Sequence, residues 1–347
     1  MIAGRTNPHL NNHPRLRRIS RRAFLKMATA TGLLAGCSPI QQPDATPTTV
    51  PVPTNAPTVV AKTAGKVVRA RHTGVWDGET LVPEAIRQML DVSIAKLTSV
   101  ENAGKAWATL FDPGERIAIK VNTIRSSDYW THVPLVMAVT ECLQDAGVPA
   151  EQIVIFDRAT RELEDAGFPV NQDGPGVRCY GTDGNNTPGW TLMDTDIMLS
   201  DILLDCDALI NMPILKAHSV AGCTFAMKNH YGTFNKPSRF HTRIEAIADL
   251  NALPPIRDRT RLIIGDALTI CTFGWSRAVT GDSILMSFDP VAHDVVGLQV
   301  LNQAMESGGI VLSQAASMAS GWLGRGAELG LGVNEPDGIE WTQLTLG

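Results

Sequence analysis

The chain has 347 residues, 44% of them hydrophobic, with 30 lysines and arginines against 35 aspartates and glutamates and a formal net charge of −5. Seven of the basic residues (Arg5, Arg15, Arg17, Arg18, Arg21, Arg22 and Lys26) lie in the first 36 positions, which hold no acid, so the remainder carries 23 basic and 35 acidic residues, a net charge of −12. A body that acidic repels phosphate backbones, which excludes nucleic acid as an expected partner.

Ser20-Arg21-Arg22-Ala23-Phe24-Leu25-Lys26 reads as a twin-arginine export signal, and Leu34-Ala35-Gly36-Cys37, after a short apolar stretch, as a bacterial lipobox. That stretch, about ten residues, is too short for a hydrocarbon core that needs roughly twenty. Residues 1–36 are therefore expected to be a signal peptide, with Cys37 as the lipidated mature N-terminus. The expected partners are the twin-arginine translocase during export and the membrane through the lipid on Cys37, at the extracytoplasmic face of the bacterial cell membrane. Because this route generally carries folded cargo, often loaded with a cofactor, it raises the expectation of a cofactor without naming one.

Residues 37–65 are rich in proline and threonine, including Pro39, Pro43, Pro47, Pro51, Pro53 and Pro57. Such a segment buries no core and reads as an extended tether, on the order of 70 Å at about 3.1 Å per residue.

From residue 66 to 347 apolar runs alternate with helical patterns. Strands are expected at Val67–Arg71, Arg116–Val121, Gln152–Phe156, Ala208–Asn211, Arg261–Ile264 and Ile284–Phe288. Helices are expected at Pro83–Leu97, Val133–Ala146, Arg158–Ala166, Ile244–Leu253 and Pro290–Ser307, each bounded by proline or glycine. The glycine-rich stretches Gly174–Gly189 and Ser320–Gly332 read as loops or a partly irregular subdomain. This order implies an α/β fold: a mostly parallel sheet with crossover helices, as a single large domain or two closely packed lobes.

Several polar residues end these strands: Lys120 and Asn122, Asp157, Asn211, Asp266 and Asp289. In a parallel sheet they converge on one edge, where α/β proteins bind ligands. For Asp157 and Asp289 the competing role is capping the next helix. The segment from Lys216 to Arg243 adds His218, Lys228, Asn229, His230, Arg239 and His241, and contains no Asp or Glu at all. In an acidic protein, cations interleaved with Phe225, Met227, Tyr231 and Phe234 point to an anion pocket, although a solvated basic face would also account for them. Lys120, Asn122, Asn211, Asn229 and Arg239 are the expected ligand-binding residues; Lys216, Lys228, His218 and His230 are the catalytic candidates. A divalent metal is the candidate cofactor, held by His218, His230, His241 and Asp266. Cys142, Cys179, Cys206, Cys223 and Cys271 include no Cys-x-x-Cys pair, which argues against an iron–sulfur cluster. Buried thiols are the simpler reading, and any disulfide pairing is left open.

Four segments carry a family resemblance: Ile117-Ala-Ile-Lys120-Val-Asn122, Asp207-Ala-Leu-Ile-Asn211-Met-Pro-Ile-Leu-Lys216-Ala-His218, Met227-Lys228-Asn229-His230-Tyr-Gly232, and Phe288-Asp289-Pro290-Val-Ala-His293-Asp294. On these the chain resembles the family called domain of unknown function 362, which implies a fold neighbourhood and no established general activity. Some relatives carry ferredoxin-type cysteine clusters, which this sequence lacks. The lysine and histidine loop is also similar in style to that of the nickel-pincer lactate racemases, without a motif-by-motif alignment, and no ligand is carried across.

The expected function is redox or isomerase chemistry on a small anionic substrate by an exported, lipid-anchored protein. The alternatives are a non-catalytic tethered receptor for an anionic solute and a metal-dependent phosphoesterase, which requires clustered carboxylates and histidines.

Overall fold

The computed structural model describes residues 65–124, 129–272, 278–307 and 313–347. The export and lipidation residues Arg21, Arg22 and Cys37 lie outside the described residues.

One ten-stranded sheet organises the chain. Its strands are β1 (Lys66–His72), β2 (Ile117–Lys120), β3 (Ile153–Phe156), β4 (Arg178–Cys179), β5 (Ala208–Asn211), β6 (Ile214–His218), β7 (Gly222–Thr224), β8 (Thr260–Cys271), β9 (Ala278–Ser287) and β10 (Glu340–Leu346). The main path runs β10-β1-β9-β8-β5-β2-β3-β4, with β6 branching onto β8 and β7 pairing with β6. From β8 to β4 every pairing on the path is parallel; β9 runs antiparallel to β1 and β8, and β7 antiparallel to β6. The fold is thus α/β with a mostly parallel sheet.

Helices cover both faces because these strands are apolar on both sides. Ile117, Ile119, Ile210 and Ile264 pack under α1 (Pro83–Thr98), α2 (Ala103–Leu110) and α3 (Val133–Asp145). On the other face Ala118, Val154 and Leu209 join a cluster with α5 (Asp201–Asp205), α7 (Ala246–Asn251) and α8 (Pro254–Arg257), while α4 (Thr160–Asp165) and α6 (Ala226–Asn229) are short connecting helices. The same face continues over Leu285 and Ala267 beneath α9 (Pro290–Ser307) and α10 (Ser313–Glu328). Among the described residues, no helix is long and apolar enough to cross a membrane.

Most expected elements occur within a residue or two of their read positions, but β8 runs on to Cys271, past its read end at Ile264, which places Asp266 inside the strand, and three further regions differ. Ser320–Gly332, read as a loop, is helical through Glu328: Ala319, Trp322 and Leu323 form a buried stripe, and the Trp322 indole donates to the Ala221 carbonyl at 3.0 Å. Of its glycines, Gly326 serves close approach, since a Cβ there would lie 2.9 Å from Val291 Cγ2 of α9. Gly174–Gly189 contains β4 and opens a hairpin formed by Asn186–Leu192 and Thr195–Ser200. The third is β9, whose antiparallel course carries Asp289 to the opposite edge of the sheet from the ends of β2, β3 and β5.

Candidate functional site

Lys120, Asn122, Asp157, Lys216, His218, Lys228, Asn229 and His241 line one cavity of about 490 Å³ beyond the carboxyl ends of β2 and β3. Arg158, Glu162, Ser219, Thr224, Tyr231 and Ser238 complete much of its wall. The strand-end rule therefore gathers most of the expected residues, as it should where parallel strands leave polar ends at a common crevice.

The lysines are held differently. Lys120 is 1% exposed and donates to Asp157 Oδ1 at 2.6 Å and to the Val121 carbonyl at 2.7 Å. Asp157 also accepts from Thr123 N, Thr123 Oγ1 and Arg158 N, so the carboxylate of this buried ion pair is fully engaged. Gly232 lies directly over it: a Cβ there would sit 2.6 Å from both Asp157 Oδ1 and Lys120 Nζ, so any side chain would pry the turn away.

Lys216 is 2% exposed and has no carboxylate within ion-pair distance among the described residues. It lies just past a slip in the β6–β8 register, and its amine donates to Asn122 Oδ1 at 2.6 Å and to the Tyr129 carbonyl at 2.9 Å. Burial pushes the Lys216 ammonium down to about 7; Cys271 and the Asp157 charge oppose this, and the Lys228 and Lys120 charges add to it. In its neutral form both protons are committed to those oxygens, which leaves the nitrogen lone pair as the unengaged position on an amine that lines the cavity.

Lys228 rests over the Tyr231 ring, 4.9 Å from its centroid, and burial lowers it to about 8. It sits on α6, whose first two backbone amides, Ala226 and Met227, donate to the fully buried Asp294 carboxylate at 2.7 and 2.9 Å. His293 donates to that carboxylate through Nδ1 at 3.1 Å and stacks on Phe225. The His293-Asp294 pair thus holds the helix that presents Lys228 and Asn229, rather than meeting a ligand.

The asparagines form an ordered chain. Lys216 donates to Asn122, whose amide nitrogen donates to Asn229 Oδ1 at 3.0 Å; Asn229 donates to Asn211 Oδ1 at 2.7 Å, and Asn211 to His230 Nε2 at 3.3 Å. Each amide oxygen points back toward Lys216, so the dipoles favour its protons. Asn211 and His230 are 1% exposed and lie beneath the cavity, off its wall.

His218 faces the cavity in a defined tautomer. Its Nδ1 accepts from the Val220 and Ala221 amides at 3.2 and 3.1 Å, so Nε2 carries the proton. Burial, with Lys228 second, lowers its ionisation to about 3. What His218 offers at neutral pH is a hydrogen-bond donor, not a base.

Several expectations are corrected here. Of the four proposed metal ligands only His218 and His241 come together, their ring centroids 4.9 Å apart on the cavity wall, and no group of three His, Cys, Asp or Glu side chains suited to a metal occurs among the described residues. His218 has its proton on Nε2, whereas a metal-ligating imidazole donates through its other nitrogen. His230 is buried with Nε2 accepting from Asn211, and burial lowers it to about 3, so it serves neither as a metal ligand nor as a cavity-facing catalyst. Asp266 lies on the opposite face of the sheet, in step with Ile264, where it accepts from the His132 backbone and ring at 2.8 Å each. Arg239 is exposed and off the cavity wall. Asp289 caps α9 through the Val291 and Ala292 amides and also accepts from Gly65 and Val333. These residues give no fit for a metal-dependent phosphoesterase.

Sequence reasoning missed Arg158 and Glu162, whose side chains pair on the cavity wall. Their i, i+4 spacing just after Asp157 was the available signal.

The family model described as "Domain of unknown function (DUF362)" matches residues 117–299, just over half of the chain. The chain belongs to this family. The DUF362 region contains every cavity-lining residue named above. Among solved structures, the lactate racemase apoprotein from Thermoanaerobacterium thermosaccharolyticum is similar at 8% identity and a TM-score of 0.41, covering 71% of this chain and 58% of that one. A protein from Thermotoga maritima is similar at 12% identity and a TM-score of 0.38, covering 68% of this chain and 61% of that one. The chain thus spans less than two thirds of the length of either. Comparison with curated proteins gives no match.

Proposed function

We propose that the chain is an exported, lipid-anchored enzyme that draws a small carboxylate into the Lys216–Lys228 cavity and carries out isomerase-type chemistry on it. The observation that carries this reading is the pair of amines, Lys216 and Lys228, that line one cavity with no carboxylate in ion-pair contact among the described residues. The other charged residues on the wall are paired, Lys120 with Asp157 and Arg158 with Glu162, so an incoming anion meets uncompensated positive charge. His218 Nε2–H adds a neutral donor for an oxygen that gains charge during reaction. An amine that titrates near neutrality suits proton transfer at the pH of the cell exterior. Export and anchoring are supported by Arg21, Arg22 and Cys37 in their signal and lipobox settings.

The second reading, a non-catalytic tethered receptor for an anionic solute, is favoured by the locked tautomer of His218, which suits capture as well as catalysis. Titration calorimetry with propionate tests the shared premise. Saturable binding to the wild type, weakened in Lys228→Met and Lys216→Met by at least about tenfold, is expected for loss of a charge-assisted contact. Unchanged binding in both variants would refute the anion pocket. Turnover that vanishes in His218→Ala while propionate still binds favours the enzyme over the receptor.

A further inference from the structure

The cavity's two amines are not equivalent, and the difference names a substrate class. Lys216 is fixed by two neutral oxygen acceptors, Asn122 Oδ1 and the Tyr129 carbonyl, with no carboxylate in ion-pair contact among the described residues. Lys228 is bound to no acceptor among the described residues, rests on Tyr231, and is the more accessible of the two. We propose, building on the carboxylate-binding reading, that the substrate is a small 2-oxo acid whose carbonyl carbon forms an imine with Lys216 while its carboxylate rests on Lys228.

The step balances without an oxidant or reductant. The Lys216 nitrogen lone pair attacks the carbonyl carbon, a C–N bond forms, and the C=O π electrons move to oxygen. Both amine protons then leave with that oxygen as water, giving C=N. His218 Nε2–H is a neutral donor on the cavity wall for the carbonyl oxygen during attack. When the imine takes up a proton, its one N–H finds Asn122 Oδ1 already in place as acceptor. The iminium withdraws electrons from the neighbouring carbon, which connects this covalent step to isomerase-type proton transfer.

Geometry separates the two roles. A lysine held by neutral oxygens presents a fixed lone pair once deprotonated, whereas Lys228, resting on the Tyr231 ring, has no acceptor to orient its amine among the described residues. Lys120 lines the same cavity but is tied to Asp157, so it is not the nucleophile.

Full-length protein incubated with pyruvate and sodium borohydride, then examined by intact-mass and peptide-mapping mass spectrometry, tests the proposal. One reduced adduct per chain, located on Lys216, is expected. The adduct should be absent from Lys216→Arg, which keeps the charge but forms no imine, and should need about tenfold more pyruvate in Lys228→Met, the equivalent of losing one charge-assisted contact. Propionate in excess should protect Lys216. If propionate binds by calorimetry yet pyruvate leaves no adduct on Lys216, or labels exposed lysines such as Lys236 equally, the imine is wrong and the anion pocket stands. If neither propionate nor pyruvate binds, both readings fall.

Discussion

Lys120 and Lys216 both end up buried on the wall of one cavity, yet their surroundings differ in kind. Lys120 faces a carboxylate that also accepts from three other donors, whereas Lys216 faces amide and carbonyl oxygens at the head of a chain of asparagines. Equal burial therefore produces a structural ion pair at one lysine and a chemically available amine at the other. A buried charge is tolerated when paired; without a counter-charge it tends to shed its proton.

Breaking the paired side should have the largest effect. Asp157→Ala leaves Lys120 buried without its counter-charge and is expected to lower unfolding free energy by about 3–5 kcal/mol in urea titrations. Lys216→Met, close in volume, removes an uncompensated charge, so it should leave stability at pH 7 unchanged or raised while abolishing turnover. Comparable destabilisation by the two substitutions would erase the distinction.

Next in size is the dependence on pH. Lys216 titrates at about 7 in the fold against 10.5 when unperturbed, so between those values the unfolded chain binds more protons and stability rises with pH. Lys228, lowered to about 8, adds to the same rise. Below neutrality His218 and His230, both lowered to about 3 from 6.5, make stability fall as pH drops through that window. Thermal melts across pH should show the alkaline rise in the wild type and a flatter profile in Lys216→Met. A stability maximum near pH 6 in both proteins would contradict this.

Asn229→Leu should fall between the extremes. It removes the link between Asn122 and Asn211, leaving buried amide groups unsatisfied at a cost of about 1–3 kcal/mol each, and lets Asn122 rotate away from Lys216. Denaturation paired with substrate kinetics should register both losses. Arg239→Ala marks the small end: exposed and off the wall, it should change anion affinity by less than about twofold, within the range of ordinary surface substitutions.

Much of this was legible in the chain. Short β-branched runs fixed β2, β3 and β5 almost to the residue, and the absence of any acid from Lys216 to Arg243 pointed to the cationic wall. What sequence could not convey was direction. Asp266 and Asn211 both end or interrupt strands, but alternation of side chains sends them to opposite faces. Asp289 ends a strand whose antiparallel course is set only by pairing with β8 and β1. Nor does spacing reveal that two backbone amides lock His218 as a donor, or that His230 sits under the floor.

Among the described residues Lys216 is a buried amine with no carboxylate in ion-pair contact, and lysine-selective carbon NMR reads its ionisation directly. The ε-carbon signal lost in Lys216→Met should titrate with a midpoint near about 7 and move upward when propionate binds, because an anion favours the protonated form. A Lys216 signal that titrates at the ordinary value of 10.5, with or without propionate, would contradict it.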